Sequence, residues 1–248
     1  MRKLLIIALT MASTYVFGQG KTLYSAEMIT PKMGKAAAFE TKWKTHLSKF
    51  HGKDDARRMY EILSGDNTGS YLLVEGPKSF ADMDNAKPNA EAHGLDYDNA
   101  VSPATEKITG INTYRWVDTL SYNGAVVADK FVTTVYQLKY GKGGDLMAEL
   151  RRAFKVNTII KSPGSVNVYT KQWAGSKPEV VVISNLKDGF KQLEANYTPS
   201  MGTAFKDTYI KEFGQDAWDK RLKLLPEIVE NMDVYISKLR KDLSTASN

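Results

Sequence analysis

The chain has 248 residues, with 34 Lys and Arg set against 28 Asp and Glu, and it has no cysteine. Its 42% hydrophobic and 25% charged content is that of a globular protein rather than a disordered or fibrous one. The missing cysteine removes disulfides, thiol nucleophiles and thiolate metal sites together, and the net charge of +6 is spread over scattered lysines, which argues against a nucleic-acid footprint.

The chain opens with Met1-Arg2-Lys3, then an apolar run from Leu4 to Phe17, with Val16 and Gly18 small enough to precede a cleavage at Gln19. The run is shorter than the roughly 20 residues that span a bilayer comfortably. Residues 1–18 are therefore predicted to be a signal peptide, and the mature protein to be periplasmic or secreted with no membrane span. An uncleaved anchor is the alternative. Loss of this segment removes Arg2 and Lys3 and leaves a mild charge of about +4.

A first unit (19–122) begins with the strand TLYSAEMI, followed by a helix over roughly 35–50. Its Ala36, Phe39, Trp43, Leu47 and Phe50 recur at three- and four-residue spacing and share one face. RRMYEIL, the turn SGDNTGS and YLLVEG form a strand-turn-strand, and Pro77-Lys78-Ser79 introduces a second helix from Phe80. After a polar stretch to about Ala100, INTYRWV supplies a fourth strand. The segment 121–129 is the linker, marked by Asn123-Gly124. The second unit (123–243) repeats the order: FVTTVYQLKY, a helix capped by Asp145, the strands around Ser165–Trp173 and VVVIS, and a helix carrying Phe190 and Leu193. A further helical region over 203–225 is interrupted by Pro226, VYISKL closes the unit, and 244–248 reads as a frayed tail.

Each unit thus reads β-α-β-β-α-β, the ferredoxin-like pattern. Aligning Tyr60 with Tyr169 places Leu72-Leu73-Val74 on Val181-Val182-Ile183, so an internal duplication is expected. One face of such a sheet is covered by its helices and the other must be buried elsewhere. The predicted fold is α+β, two tandem units packed sheet to sheet as an α+β barrel within one chain.

The element order, the repeated strand-turn-strand and strand openings such as VYQLKYGKGGDLMAEL resemble the dimeric α+β barrel superfamily, which includes antibiotic-biosynthesis-monooxygenase-like, NIPSNAP-like and stress-responsive barrel proteins. The resemblance implies a barrel, and among its functions cofactor-independent oxygenation and haem handling through a histidine. No signature motif is matched, so no catalytic residue is carried over.

Among chemistry-bearing residues, His46 and His51 are five apart, a spacing that does not bring two imidazoles to one helix face. The text is not HExxH and the only other histidine is His93. A structural or solvated role is expected for them, and no metal site. Trp43 and His46, at i and i+3, are neighbours at the edge of a pocket or core. Tyr60, Tyr114, Tyr136, Tyr169 and Trp173 lie on strands, where they either wall a ligand cavity or pack between sheets. KYGKGG lacks the spacing of a phosphate loop, and ADMDNAKPNAEAHGLDYDNA does not fit a calcium loop. The leading expectation is an exported protein that binds a small, largely apolar ligand in a barrel cavity, without a cofactor. The alternatives are a cofactor-independent monooxygenase-like or haem-handling enzyme, in which His46 or a strand tyrosine would be the polar group, and a purely structural barrel whose sheets fill each other.

Overall fold

The computed structural model describes residues 20–52, 55–85, 90–124, 128–173, 177–194 and 199–245. The predicted signal peptide lies outside them, as do part of the linker and the last three residues of the tail. Among the described residues no helix is long and apolar enough to cross a membrane.

In chain order the elements are β1 (Leu23–Pro31), α1 (Ala36–Phe50), β2 (Arg57–Ile62), β3 (Tyr71–Lys78), α2 (Phe80–Asp84), α3 (Ala90–Asp96), a π-helical turn (Tyr97–Val101), β4 (Thr105–Ile108) and β5 (Asn112–Trp116). There follow β6 (Lys130–Leu138), α4 (Gly143–Ile159), β7 (Val166–Lys171), β8 (Glu179–Asn185), α5 (Pro199–Phe213), α6 (Gln215–Ile228) and β9 (Val229–Leu239).

All strand pairs are antiparallel. The order β3-β2-β9-β6-β8-β7-β5-β1 closes on itself through a β1–β3 ladder, and β4 is a short addition beside β1. Within the first half the spatial order is β2-β3-β1-β5, and within the second it is β7-β8-β6-β9. The seams between the halves are hydrogen-bonded ladders, Tyr60 against Leu239 on one side and Trp116 against Tyr169 on the other. The barrel expected within one chain is present, closed and eight-stranded, with its two sheets joined edge to edge by hydrogen-bonded ladders rather than only packed face to face. The physical reason is that stacked sheets would leave four rows of unpaired N–H and C=O groups, which closure satisfies.

Side chains on each barrel strand alternate between the lumen and an outer jacket of helices. On β1, Tyr24 and Ala26 face the lumen while Leu23 and Ile29 face out. The first-half jacket packs Phe39, Trp43 and Leu47 of α1 on Ile29, Met59, Tyr71 and Leu73. The second packs Leu146 of α4 and Ile228 of α6 on Leu138, Val168 and Val180. Gly76 shows why glycine is needed in β3: its φ is +133°, and a Cβ there would lie 2.7 Å from the Leu23 carbonyl oxygen.

Several local expectations change. Asp145 does not cap α4; it lies in the first turn, 3.3 Å from Lys142, where it still suits the helix dipole. Phe190 and Leu193 sit on a short 3₁₀ turn and are exposed. The polar stretch after Phe80 holds α3 and the π-helical turn. The end of the chain is tied down through Thr245: Leu243 is buried, Trp43 Nε1 donates to its carbonyl at 2.8 Å, and Met59 and Arg57 backbone N–H groups donate to Ser244 and Thr245.

Arg240 clasps this C-terminal segment to α1. Its guanidinium donates to both oxygens of Glu40 at 2.6 and 2.9 Å and to Asp242 at 3.0 Å, while Tyr71 Oη donates to Glu40 at 2.6 Å. Hydrogen bonding from Arg240, chiefly, holds the Glu40 carboxyl below its usual range, and Asp242 below its own. A carboxyl depressed in the folded state stabilises the fold above its unfolded pKa, about 4 for both residue types, and loses that contribution as pH falls through the folded value. Urea midpoints measured from pH 6 down to pH 3 should therefore fall more steeply for the wild type than for Arg240→Met. Equal slopes would remove the clasp as the cause.

Candidate functional site: a barrel cavity and a histidine cluster

The lumen is hollow. It holds a partly open cavity of about 610 Å³ walled by apolar side chains such as Leu72, Val74, Phe131, Val135, Val181 and Ile183. Strand alternation brings Tyr24, Tyr60, Tyr114, Tyr169 and Tyr235 to the same wall, with Trp116, Asn167 and Arg58. Tyr24 meets Tyr169 edge-on with ring centroids 5.5 Å apart, and Tyr60 meets Phe131 at 5.4 Å. A cavity of this size is within the range of small-molecule sites and is not what a barrel filled by its own side chains would show.

The polar groups of the wall divide into two sets. Tyr114 donates to Glu179 at 2.6 Å, and Trp116 Nε1 donates to Asn167 Oδ1 at 3.1 Å, so these are engaged. The hydroxyls of Tyr24, Tyr60 and Tyr169 have no protein hydrogen-bond partner among the described residues. Burial pushes all three phenols up, with the Arg58 charge opposing it, and burial also pushes Tyr235 up to about 12. They are therefore neutral donors at ordinary pH rather than bases. Arg58 donates to the Gly76 carbonyl at 3.3 Å and has no carboxylate partner among the described residues. A half-buried cation beside unpartnered phenols can receive an electron-rich or anionic oxygen.

Of the residues singled out in the sequence, Tyr60, Tyr114 and Tyr169 line this cavity. Tyr136 does not: its parity on β6 turns it outward, against the jacket core of Leu138 and Leu146. Trp173 lies past the end of β7, is 69% exposed, and packs on Phe80. Trp43 and His46 belong to a second site on the jacket side of the first half. The residues missed were Tyr24, Arg58 and Tyr235, which the period-2 pattern of β1, β2 and β9 could have supplied.

The second site is a pocket of about 390 Å³ between α1, the π-helical turn and the outer face of β1–β3, lined by Trp43, His46, Arg57, Glu75, His93 and Tyr97 among others. No metal site was expected because His46 and His51 are five apart on a helix. The helix, however, ends at Phe50, and His51 is extended, with φ −123° and ψ 105°, so its ring folds back toward His46. α3 delivers His93 from across the pocket. The three Nε2 atoms stand 3.1, 3.1 and 3.4 Å from one another. His46 Nδ1 faces Asp96 at 2.8 Å and His51 Nδ1 faces Asp55 at 2.7 Å. Burial, chiefly, holds the His46 imidazole below its usual value, against the hydrogen bond to Asp96.

Haem, raised by the sequence resemblance, can be tested against these residues. Among the described residues that line the lumen there is no His, Cys or Met to ligate iron, and burial favours the neutral form of its tyrosines. The histidines pack ring against ring, which leaves none standing alone beneath a macrocycle. The residues present do not fit a haem.

A closed antiparallel barrel, hollow at the centre and jacketed by helices, resembles the dimeric α+β barrel. Comparison with solved structures finds neighbours of similar fold. A proposed monooxygenase from Lactobacillus acidophilus NCFM superposes with a TM-score of 0.55 at 8% identity, over 92% of this chain and 97% of that one. A second proposed monooxygenase, from Fusobacterium nucleatum, gives 0.54 at 13% identity, over 88% and 91%. A mutant chlorite dismutase from Candidatus Nitrospira defluvii gives 0.53 at 7% identity, over 89% and 93%. At these identities the likeness is one of fold alone. No protein-family model matches the sequence, and no curated protein matches it at a significant level.

Proposed function

We propose that this protein binds a small, largely apolar ligand bearing an electron-rich or anionic oxygen group inside the barrel. The observation that carries the reading is the convergence of three unpartnered phenol hydroxyls and Arg58 on one apolar cavity of about 610 Å³. Apolar walls would hold an aromatic or alicyclic body, and the guanidinium and phenols would receive a carboxylate, sulfonate or phenolate. The shared strand order of the two halves supports reading them as copies of one ferredoxin-like unit, which would make the cavity the space between the two copies. The basic, then apolar, start of the chain supports export and a periplasmic or secreted site of action.

The test uses 1-anilinonaphthalene-8-sulfonate, an aromatic anion of suitable class, titrated by fluorescence, with native mass spectrometry of the purified protein to detect a retained ligand. Loss of a charge-assisted hydrogen bond, about 1.5–3 kcal/mol, should weaken the probe roughly ten- to hundredfold in Arg58→Met, and Tyr60→Phe should weaken it less. Unchanged affinity in Arg58→Met would overturn the reading.

A cofactor-independent monooxygenase-like activity is the second reading, favoured by the description of two structural neighbours and by the phenol donors in the cavity. Dioxygen uptake with 1-naphthol as probe, lost in Tyr60→Phe and Tyr169→Phe, would support it; no uptake would end it.

A further inference from the structure

We infer that His46, His51 and His93 form a binding site for one divalent transition-metal ion, zinc foremost, with a fourth coordination position open to the jacket pocket.

The first argument is metric. Zinc binds imidazole nitrogen at about 2.0–2.1 Å, and at a tetrahedral angle two such nitrogens lie about 3.3–3.4 Å apart. The three Nε2 atoms, at 3.1, 3.1 and 3.4 Å, already occupy one triangular face of such a polyhedron. They come from three backbone environments, the last full turn of α1, the extended residue that ends it and α3. Nothing in local geometry obliges them to meet.

The second argument counts protons and lone pairs. Asp96 and Asp55 accept from the Nδ1–H groups of His46 and His51, which leaves the Nε2 lone pairs of these two rings pointing into the cluster. Asp96 is itself bonded by Lys49 at 2.7 Å and Asp55 by Arg57 at 3.3 Å, so both carboxylates are held in place against their imidazoles by neighbouring cations. Three close nitrogen pairs cannot all be hydrogen bonds. One proton on one Nε2 serves the contacts it points toward and leaves the remaining pair lone pair to lone pair, while two protons would face each other. A single cation at the centre satisfies all three nitrogens. Carboxylates that orient ligating imidazoles through Nδ1 are the usual second layer of such centres.

The third argument concerns the open side. His46 is 1% exposed, the rings of Trp43, Phe50 and Tyr97 lie against it, and the half-buried His93 completes the cluster beside the pocket of about 390 Å³. The Tyr97 hydroxyl lines that pocket and is buried without a hydrogen-bond partner among the described residues. An orphaned donor beside an open coordination position is accounted for by a metal-bound water or small oxyanion that accepts from it. Three protein ligands plus an exchangeable oxygen is the composition of catalytic rather than structural zinc sites. The chemistry of the donor set, three imidazoles and no thiolate, suits Zn²⁺ and also Ni²⁺ or Cu²⁺, and not Mg²⁺ or Ca²⁺.

This site is distinct from the barrel cavity, so its failure would leave the ligand reading untouched. The experiment uses the full mature chain, purified without a histidine tag, stripped with chelator and titrated with ZnCl₂ against a chromophoric competitor. One Zn²⁺ per chain is expected, with a rise in the thermal midpoint on loading. His93→Ala, on the half-buried α3, should fold and should bind at least about 100-fold more weakly. Asp96→Asn should lose roughly 10- to 100-fold. Replacing Zn²⁺ with Co²⁺ should give the intense visible bands of a four-coordinate ion, and these should shift when azide is added to the open position. Circular dichroism verifies that each variant is folded. If folded His93→Ala retains wild-type affinity, or if the stripped protein takes up no stoichiometric Zn²⁺, the assignment is overturned. A Co²⁺ spectrum blind to azide would overturn the open position.

Discussion

Replacement of Trp43 by alanine is expected to lower the unfolding free energy by about 3–5 kcal/mol, a large part of a domain's total stability. Trp43 is 1% exposed and is the largest side chain in the first jacket core, packed with Phe39, Leu47 and Met59. Truncation opens a void that neighbours on a closed barrel cannot collapse to fill. It also deprives the Leu243 carbonyl of its indole donor, 2.8 Å away, and so loosens the C-terminal segment from α1. Trp43→Phe retains much of the volume and forfeits the hydrogen bond, so it should cost less than half as much. Urea denaturation measures both. A Trp43→Ala protein within about 1 kcal/mol of the wild type would show that the C-terminal segment and α1 are not joined as described.

Glu149→Ala should cost about 2–4 kcal/mol, toward the lower end of what breaking a buried ion pair costs, because Arg221 is partly exposed. Glu149 of α4 is 7% exposed, accepts from Tyr209 Oη of α5 at 2.7 Å and from Arg221 of α6, and lies 3.8 Å from Arg152. One carboxylate thus fastens three helices. Its removal leaves the Tyr209 hydroxyl, on a fully buried residue, without an acceptor and Arg221 without its counter-charge. Glu149→Gln keeps an acceptor for Tyr209 and should cost clearly less. A double-mutant cycle with Tyr209→Phe isolates the shared hydrogen bond. A Glu149→Ala change below about 0.5 kcal/mol, the size of an ordinary surface substitution, would show that the three helices are held by apolar contact alone.

The jacket was legible because its code is local. Phe39, Trp43 and Leu47 declare one buried face of α1 by spacing alone, and the structure buries all three. The strands were legible for the same reason. The barrel was expected from the repeated units and the resemblance, but its seams were not legible, since pairing Tyr60 with Leu239 is a relation between distant residues that no periodicity encodes. Parity explains the mixed fate of the tyrosines: Tyr60 and Tyr169 share the lumen face of their strands, whereas Tyr136 shares its face with Leu138. Counting inward from the known jacket residues would have separated them and would have added Tyr24 and Arg58. The histidine cluster was beyond such counting. Its assembly depends on α1 stopping one residue before His51 and on α3, a helix hidden in a stretch whose polar composition reads as loop. Only the presence of all three histidines within one half of the chain hinted at it.

The ring of strands also constrains how the molecule comes into being. β9 follows every other strand of the barrel, yet it is the neighbour β2 requires, so a nascent chain emerging from the ribosome holds β2 with one flank bare until β9 has been made. Contacts of such long sequence separation form slowly, because a wide loop must close before they repay it. The interior hollow therefore exists only in the finished molecule. A chain interrupted before residue 229 would have neither seam at β9 nor a barrel cavity, and would present an open sheet edge to its surroundings.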